Sequence, residues 1–435
     1  MACSSASEIC TELEVEVISG RLAPGQRLPS IRERADELGV APGTVASAYR
    51  RLRERGLVVG RGRQGTCVAA RPTPAARLVA PVPEGVVDAR SGNPDPALLP
   101  SLRRALRGAH PSLPDLYGAP LMNGSLADSA RRLFEADAID ATHLTVTSGA
   151  MDAIGRIITA LGLRIGDRIG VEDPGHVPVH ELVRTAGLQA VPLPVDGEGI
   201  VPAPLRAALD RGLGAVVMTP RAQNPTGGAL TRGRAADLAA VLADHPEVAV
   251  VEDDHAGPVS GIDYVRLAPP GPRWATIRSL GKFLGPDLRI ALVAADRRTV
   301  DQISIAVGNG PGWVSHLLQR MAADLLNDPT TTELVQAAAA SYRDRRERMI
   351  EALDAQGMRV TSRSGLNVWI PVDDEQMAVE SVRAAGYAIR AGTPYRISSR
   401  PGVRVTVAGL SDMDLEGLAR ALAHGPDGQR TAPPI

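Results

Sequence analysis

At 435 residues the chain is long for one hydrophobic core, and its 44% hydrophobic content permits a large buried interior. A net charge of −1, with 48 basic against 49 acidic side chains, excludes a protein that coats nucleic acid or membrane along its whole length. Cys3, Cys10 and Cys67 show neither metal-ligand spacing nor a disulfide framework, no apolar run is long enough for a bilayer, and the first residues lack a secretory pattern. The expectation is a soluble cytoplasmic protein, without a metal centre and with no membrane partner.

Balanced net charge conceals a basic segment. Glu8 to Val17 reads as an acidic helix with Ile9, Leu13 and Val17 on one side. From Arg21 to Arg71 there follow eleven arginines against four acids. Ser30 and Glu33 stand in capping-box spacing and open a short helix over Arg32 to Leu38, which Gly39 closes. Ala41-Pro42-Gly43 predicts a tight turn, and Thr44 to about Arg55 a second helix that stops at Gly56. Val45, Ala48, Tyr49 and Leu52 fall at core spacing, which leaves Thr44, Ser47, Arg50 and Arg51 outward. Leu57 to Val59 and Arg61 to Val68 complete a helix-turn-helix with a β-wing, whose second helix would enter a major groove while wing arginines grip phosphates.

The runs Gly20 to Arg32, Thr44-Val45 to Leu52, Gly56-Leu57 and Gly65-Thr66 resemble the GntR-type winged helix-turn-helix. The resemblance implies double-stranded operator DNA as a partner, faced by Arg32, Thr44 and the wing around Gly65. Tyr49, Arg50, Arg61 and Arg63 join them as candidate DNA contacts, so Tyr49 stands in both the core and the contact set. Many relatives carry a polar or basic residue where Pro42 stands, so the operator sequence does not carry over.

The predicted organisation is a DNA-binding domain over 1–69, a proline-rich linker over 70–87 and a third part over 88–435. In that last part, runs at Thr145–Thr147, Arg168–Glu172, Ala215–Thr219, Val248–Glu252, Thr276–Ser279 and Ile290–Ala294 alternate with helical stretches. Such alternation predicts an α/β fold with a mostly parallel central sheet covered by helices.

One residue in this part carries chemistry that no other residue of the chain can supply. Lys282 is the only lysine; every other basic residue of that pair is arginine. A guanidinium stays protonated, whereas a buried amine loses its proton readily and condenses with an aldehyde, which points to pyridoxal 5'-phosphate. The strand-to-helix turn at Val146 to Met151 aims free N–H groups of Gly149 and Ala150 at an anion. Asn224 follows another strand and can donate to a ring oxygen. Glu252-Asp253-Asp254-His255 ends a third strand in carboxylates, as a protonated pyridine nitrogen requires, and Ser279 and Arg289 flank Lys282. Strand ends of an open α/β sheet converge on one crevice.

With these motifs in this order, residues 88–423 resemble a fold-type I aminotransferase of class I/II. With the GntR-type module in front, the chain is similar to the MocR family of regulators. The Arg221 to Gly227, Asp253-Asp254-His255 and Trp313 to Gln319 segments look most like the PtsJ-type subgroup linked to vitamin B6 salvage. The resemblance implies a homodimer. Gly149, Ala150, Ser279 and Arg289 would hold the cofactor phosphate, and Tyr117 would reach the partner subunit's phosphate. Asn224 would approach the phenolic oxygen, Asp253 would pair with the ring nitrogen, Lys282 would form the Schiff base, and Arg404 would clamp a carboxylate of a substrate or effector. His176 and His255 stand where the family often has aromatic side chains and are expected as cofactor contacts. Three readings follow: a regulator that senses pyridoxal phosphate or an amino compound, a working aminotransferase with a DNA-binding appendage, and a scaffold that has lost its cofactor. Lys282 argues against the third, and the arginine-rich winged module favours the first.

Overall fold

A computed structural model describes residues 5–18, 21–54, 57–60, 65–69, 82–108, 116–267 and 271–424. The chain divides into two compact units, a smaller one built on residues 1–80 and a larger one built on the bulk of 81–435.

The smaller unit contains helices α1 (Ala6–Ile18), α2 (Ile31–Leu38) and α3 (Pro42–Glu54) and an antiparallel pair, β1 (Val58–Gly60) and β2 (Thr66–Val68). Ser30 accepts from the Glu33 N–H while Glu33 accepts from the Ser30 N–H, the reciprocal cap that the spacing predicted, and Gly39 ends α2 at φ 64°. The second helix starts at Pro42 and not at Thr44, because proline at a first helical position lacks only an N–H that would have no helical partner. Ile9, Leu13, Leu28, Ala35, Val45, Ala48, Tyr49, Leu52, Val58 and Val68 form its core.

Tyr49 is therefore a correction to the expected DNA contacts. It is 2% exposed, and its hydroxyl donates to the Pro29 carbonyl at 2.9 Å. Core spacing, rather than its position in the second helix, decides where its ring goes. Tyr49→Phe should lower stability by about 1 kcal/mol, the usual value of one hydrogen bond, and leave operator affinity unchanged. Denaturant unfolding beside a DNA titration checks this; a loss of affinity with unchanged stability would return Tyr49 to the interface. Arg32 and Arg50 are exposed, and Thr44 and Gly65 are half-buried. Arg61 and Arg63 lie outside the described residues.

In the larger unit, chain order gives β3 (Val87–Asp88), β4 (Leu144–Thr147), β5 (Arg168–Asp173), β6 (Gln189–Asp196), β7 (Gly199–Ile200), β8 (Ala215–Met218), β9 (Ala249–Asp254), β10 (Trp274–Ser279) and β11 (Ala291–Ala295). Then follow β12 (Asn367–Pro371), β13 (Tyr387–Ala388), β14 (Arg390–Ala391) and β15 (Gly402–Thr406). The main sheet runs β4-β11-β10-β9-β8-β5-β6-β7. Pairs β5–β8, β8–β9 and β9–β10 are parallel, and β11 lies antiparallel to both its neighbours. The central strands, such as Ala215 to Met218, are buried throughout, which is why they read as unbroken apolar runs. Strands β6, β7 and β12 to β15 lie outside the six predicted runs. A second sheet, β12-β15-β14, is antiparallel and packs on helices Glu375–Ala384 and Asp412–Ala423 over its own core. No helix among the described residues is long and apolar enough to cross a membrane.

Candidate functional site

The carboxyl ends of β4, β5, β8, β9 and β10 open on one edge of the main sheet. Lys282 lies in the turn after β10, and its Nζ donates to the Gly92 carbonyl at 2.5 Å. Burial, with the Arg404 charge added, brings its amine down from the ordinary lysine value to about 8. An amine so shifted supplies the neutral nucleophile that an aldehyde needs.

Asp253 and Asp254 are neighbours on β9 with opposite surroundings. Asp254 is fully buried and accepts from Arg221 Nε at 2.8 Å and Nη2 at 2.9 Å, from Arg278 Nε at 2.7 Å, and from the Gly257 N–H. Burial pushes its carboxyl up, but the Arg278 and Arg221 guanidiniums outweigh burial and hold it at about 2. Asp137 ties the same two arginines from the other side, at 2.7 Å to Arg278 and 3.6 Å to Arg221. Asp253 has no such partners. Its Oδ1 is buried without a hydrogen bond, and burial, then the charges of Asp254 and Glu172, push its carboxyl to about 7. A buried acceptor left unmade is costly, and the N–H of a protonated ring nitrogen is the donor that would satisfy it.

The turn expected to hold a phosphate leads into the helix Ala150–Ala160. Gly149 caps it at φ 99° with no side-chain bond, and a Cβ there would lie 2.7 Å from Arg289 Nη2. Arg289, itself at φ 49°, donates from Nη2 to the Ser148 carbonyl at 3.2 Å. Helix N–H groups beside a guanidinium make an anion cradle, and the positive φ at its apex favours glycine there. Ser279, at the end of β10, accepts from the Gly281 N–H at 3.3 Å.

His176 and His255 present near-parallel rings, 8° apart in plane with centroids 6.4 Å apart. Burial, then neighbouring positive charge, lowers both; His255 sits at about 4 and His176 well below its ordinary value, so both are neutral. Asn224 Nδ2 lies 2.9 Å from His176 Nδ1, and its Oδ1 accepts from Arg404 Nη1 at 3.1 Å. Arg404 Nη2 also donates to the Arg90 carbonyl, at 2.5 Å. Tyr117 stands apart from these contacts: it is 93% exposed and meets Trp313 edge-on at 5.6 Å.

The residues present fit pyridoxal phosphate by three independent features: an acceptor lacking a donor at Asp253, an anion cradle at Gly149, and one amine of lowered basicity. Sequence reasoning missed the clamp of Arg221 and Arg278 on Asp254, and Asp137, which holds the same two arginines from the other side. A signal existed, since Arg278 lies inside a buried strand, where a charge must be paired. It also missed the Arg90 and Gly92 carbonyls, which no side-chain pattern can announce.

A winged helix-turn-helix on the same chain as an aminotransferase fold with this site defines a MocR-type transcription regulator. The chain belongs to the family of aminotransferases of class I and II, whose model matches residues 86–422; the model of the gntR family of bacterial regulatory proteins matches residues 5–68. It is 38% identical over 419 residues to the vitamin B6 salvage pathway transcriptional repressor PtsJ of Salmonella typhimurium, covering 95% of this chain and 97% of that one. It is 29% identical to the HTH-type transcriptional regulator TauR of Rhodobacter capsulatus, over 86% of each chain. Its fold is similar to that of the α-aminoadipate aminotransferase LysN of Thermus thermophilus, with a TM-score of 0.68 at 21% identity, over 80% of this chain and 96% of that one.

Proposed function

We propose that this regulator binds pyridoxal 5'-phosphate and that the bound cofactor, or an amino compound meeting it, controls operator binding by a homodimer at vitamin B6 metabolism genes. The observation that carries the reading is the buried Asp253 carboxyl on β9, whose Oδ1 has no hydrogen-bond partner, together with a lone lysine of lowered basicity in the turn after the neighbouring strand β10. Gly149, Ala150, Ser279 and Arg289 would hold the phosphate, Asn224 and His255 the ring oxygen, His176 the ring face and Asp253 the ring nitrogen. Tyr117, exposed on this chain, would serve the partner subunit's phosphate. When bound, the cofactor supplies a carbonyl for Lys282 and a protonated ring that accepts electron density.

Lys282 and Arg404 also suggest how the signal leaves the site. They hold the carbonyls of Gly92 and Arg90, just beyond β3 and the segment leading back to the DNA-binding module. A ligand that engages both side chains takes them from those carbonyls, so the two arrangements of residues 90–92 differ in affinity for it. Such a difference is what moves a two-state equilibrium.

The test is to titrate binding to the DNA upstream of the gene with pyridoxal phosphate. Affinity should change with cofactor and should fall steeply with salt, with a log–log slope on the order of one per phosphate neutralised. Arg32→Ala or Thr44→Ala should weaken specific binding more than Arg61→Ala. Operator binding indifferent to pyridoxal phosphate, together with sustained transamination of amino acids, would overturn the proposal in favour of a metabolic enzyme.

A further inference from the structure

The second sheet carries a row of three large side chains. Trp369, Arg404 and Arg390 are direct cross-strand partners on β12, β15 and β14. Directly paired residues of an antiparallel ladder project from the same face, with Cβ atoms about 4.5–5.5 Å apart. The two guanidiniums therefore stand side by side, with Trp369 beyond Arg404.

Neither cation is neutralised. Arg404 is 5% exposed; its Nη atoms reach Asn224 and the Arg90 carbonyl, the Tyr395 ring lies 5.2 Å from its Cζ, and its Nε is buried without a partner. Arg390 is half-buried and has no hydrogen bond or ion pair among the described residues. The surrounding carboxylates are engaged elsewhere. Glu375 accepts from Thr393 and Gly402 and pairs with Arg396 at 2.8 Å. Asp88 is taken by Arg90, and Asp173 by Ile397, Ser398 and Ser399. Burial, with the Arg390 charge acting in the same direction, lowers the Arg404 guanidinium below its ordinary value. Two like charges at this separation in a partly dry place repel, and an anion spanning both removes that cost.

We propose that Arg390 determines specificity at this site and that the ligand is a short dicarboxylate, with one carboxylate on Arg404 and the other, about two carbons away, on Arg390. An amino acid with an acidic side chain meets this requirement. The inference rests on Arg404 as the carboxylate binder of the function proposed above. A monocarboxylate leaves Arg390 desolvated and unpaired, so the pair rejects it as well as attracting the dicarboxylate.

The experiment is calorimetry on the full-length protein after removal of any cofactor, with succinate and propionate as probes and Trp fluorescence as a second readout. The parent protein should prefer succinate. Arg390→Gln should lose on the order of ten- to a hundredfold in succinate affinity, the range of one charge-assisted contact, while propionate affinity rises because the unpaired charge that rejects it is gone. Arg404→Gln should weaken both. Equal binding of the two acids by the parent, or unaltered succinate affinity in Arg390→Gln, overturns the inference. Cofactor uptake is read separately by absorbance, so its failure would sink the cofactor reading while a succinate preference lost in Arg390→Gln still supports this one.

Discussion

Lys282→Ala is expected to abolish covalent attachment of pyridoxal phosphate completely. The visible absorbance of the lysine-linked cofactor should vanish, and borohydride treatment of the parent should fix the label to the single peptide that contains Lys282. No second lysine can substitute, because the chain has none. Attachment should also depend on pH in a way that reports the surroundings of the amine. Only the neutral amine condenses, and its lowering to about 8 leaves roughly one molecule in ten neutral at pH 7, against fewer than about one in a thousand for an ordinary lysine. The attachment rate should therefore rise with pH and level off above about 8. An unchanged absorbance in Lys282→Ala would show that this amine does not carry the cofactor, and a rate still climbing steeply at pH 10 would show that its surroundings do not lower its basicity.

The adjacent carboxylates should respond in opposite ways to the same substitution. Asp254→Asn leaves Arg221 and Arg278, 4% and 1% exposed, without their main counter-charge. Breaking a buried pair costs about 3–5 kcal/mol, and because Asp137 still holds both arginines the lower end, about 3 kcal/mol, is expected. Asp253→Asn removes a charge from beside two other buried acids, so the cofactor-free fold should be as stable as the parent or more so, while the absorbance of the bound cofactor is lost or strongly shifted. The pH dependence carries a matching sign. Asp253 is raised in the folded state, so its contribution to stability is complete below about pH 4 and is lost as pH rises through about 7. Asp253→Asn should flatten part of that decline; Glu172, also raised to about 7, keeps the remainder. Asp254 works the other way, contributing above about pH 4 and losing its effect only near pH 2. Urea unfolding of both variants from pH 4 to 8 tests the pair. Equal stabilities of the two variants would dismiss the assignment of a structural role to one and a binding role to the other.

Much of this protein is determined by the order of its residues alone. The alternation of apolar strands and helices predicts the sheet, because strands buried on both faces must be apolar throughout. The capping box at Ser30 and Glu33 predicts α2, because its hydrogen bonds join residues three apart. A single lysine in an arginine-rich chain singles out the candidate nucleophile, because no arginine can do that chemistry. Other features depend on residues far apart in sequence and exist only once the chain has folded. Tyr49 could face DNA or the core until α1 and α2 pack against its helix. Asp253 and Asp254 are indistinguishable as letters; Arg221 and Arg278, 33 and 24 residues from Asp254, make one a structural anchor and leave the other free. Arg390 and Arg404 become neighbours only through the register of β14 and β15. Local geometry follows from nearest neighbours, whereas the charge and polarity around a side chain follow from tertiary packing, and that packing decides which of two like residues is available to bind.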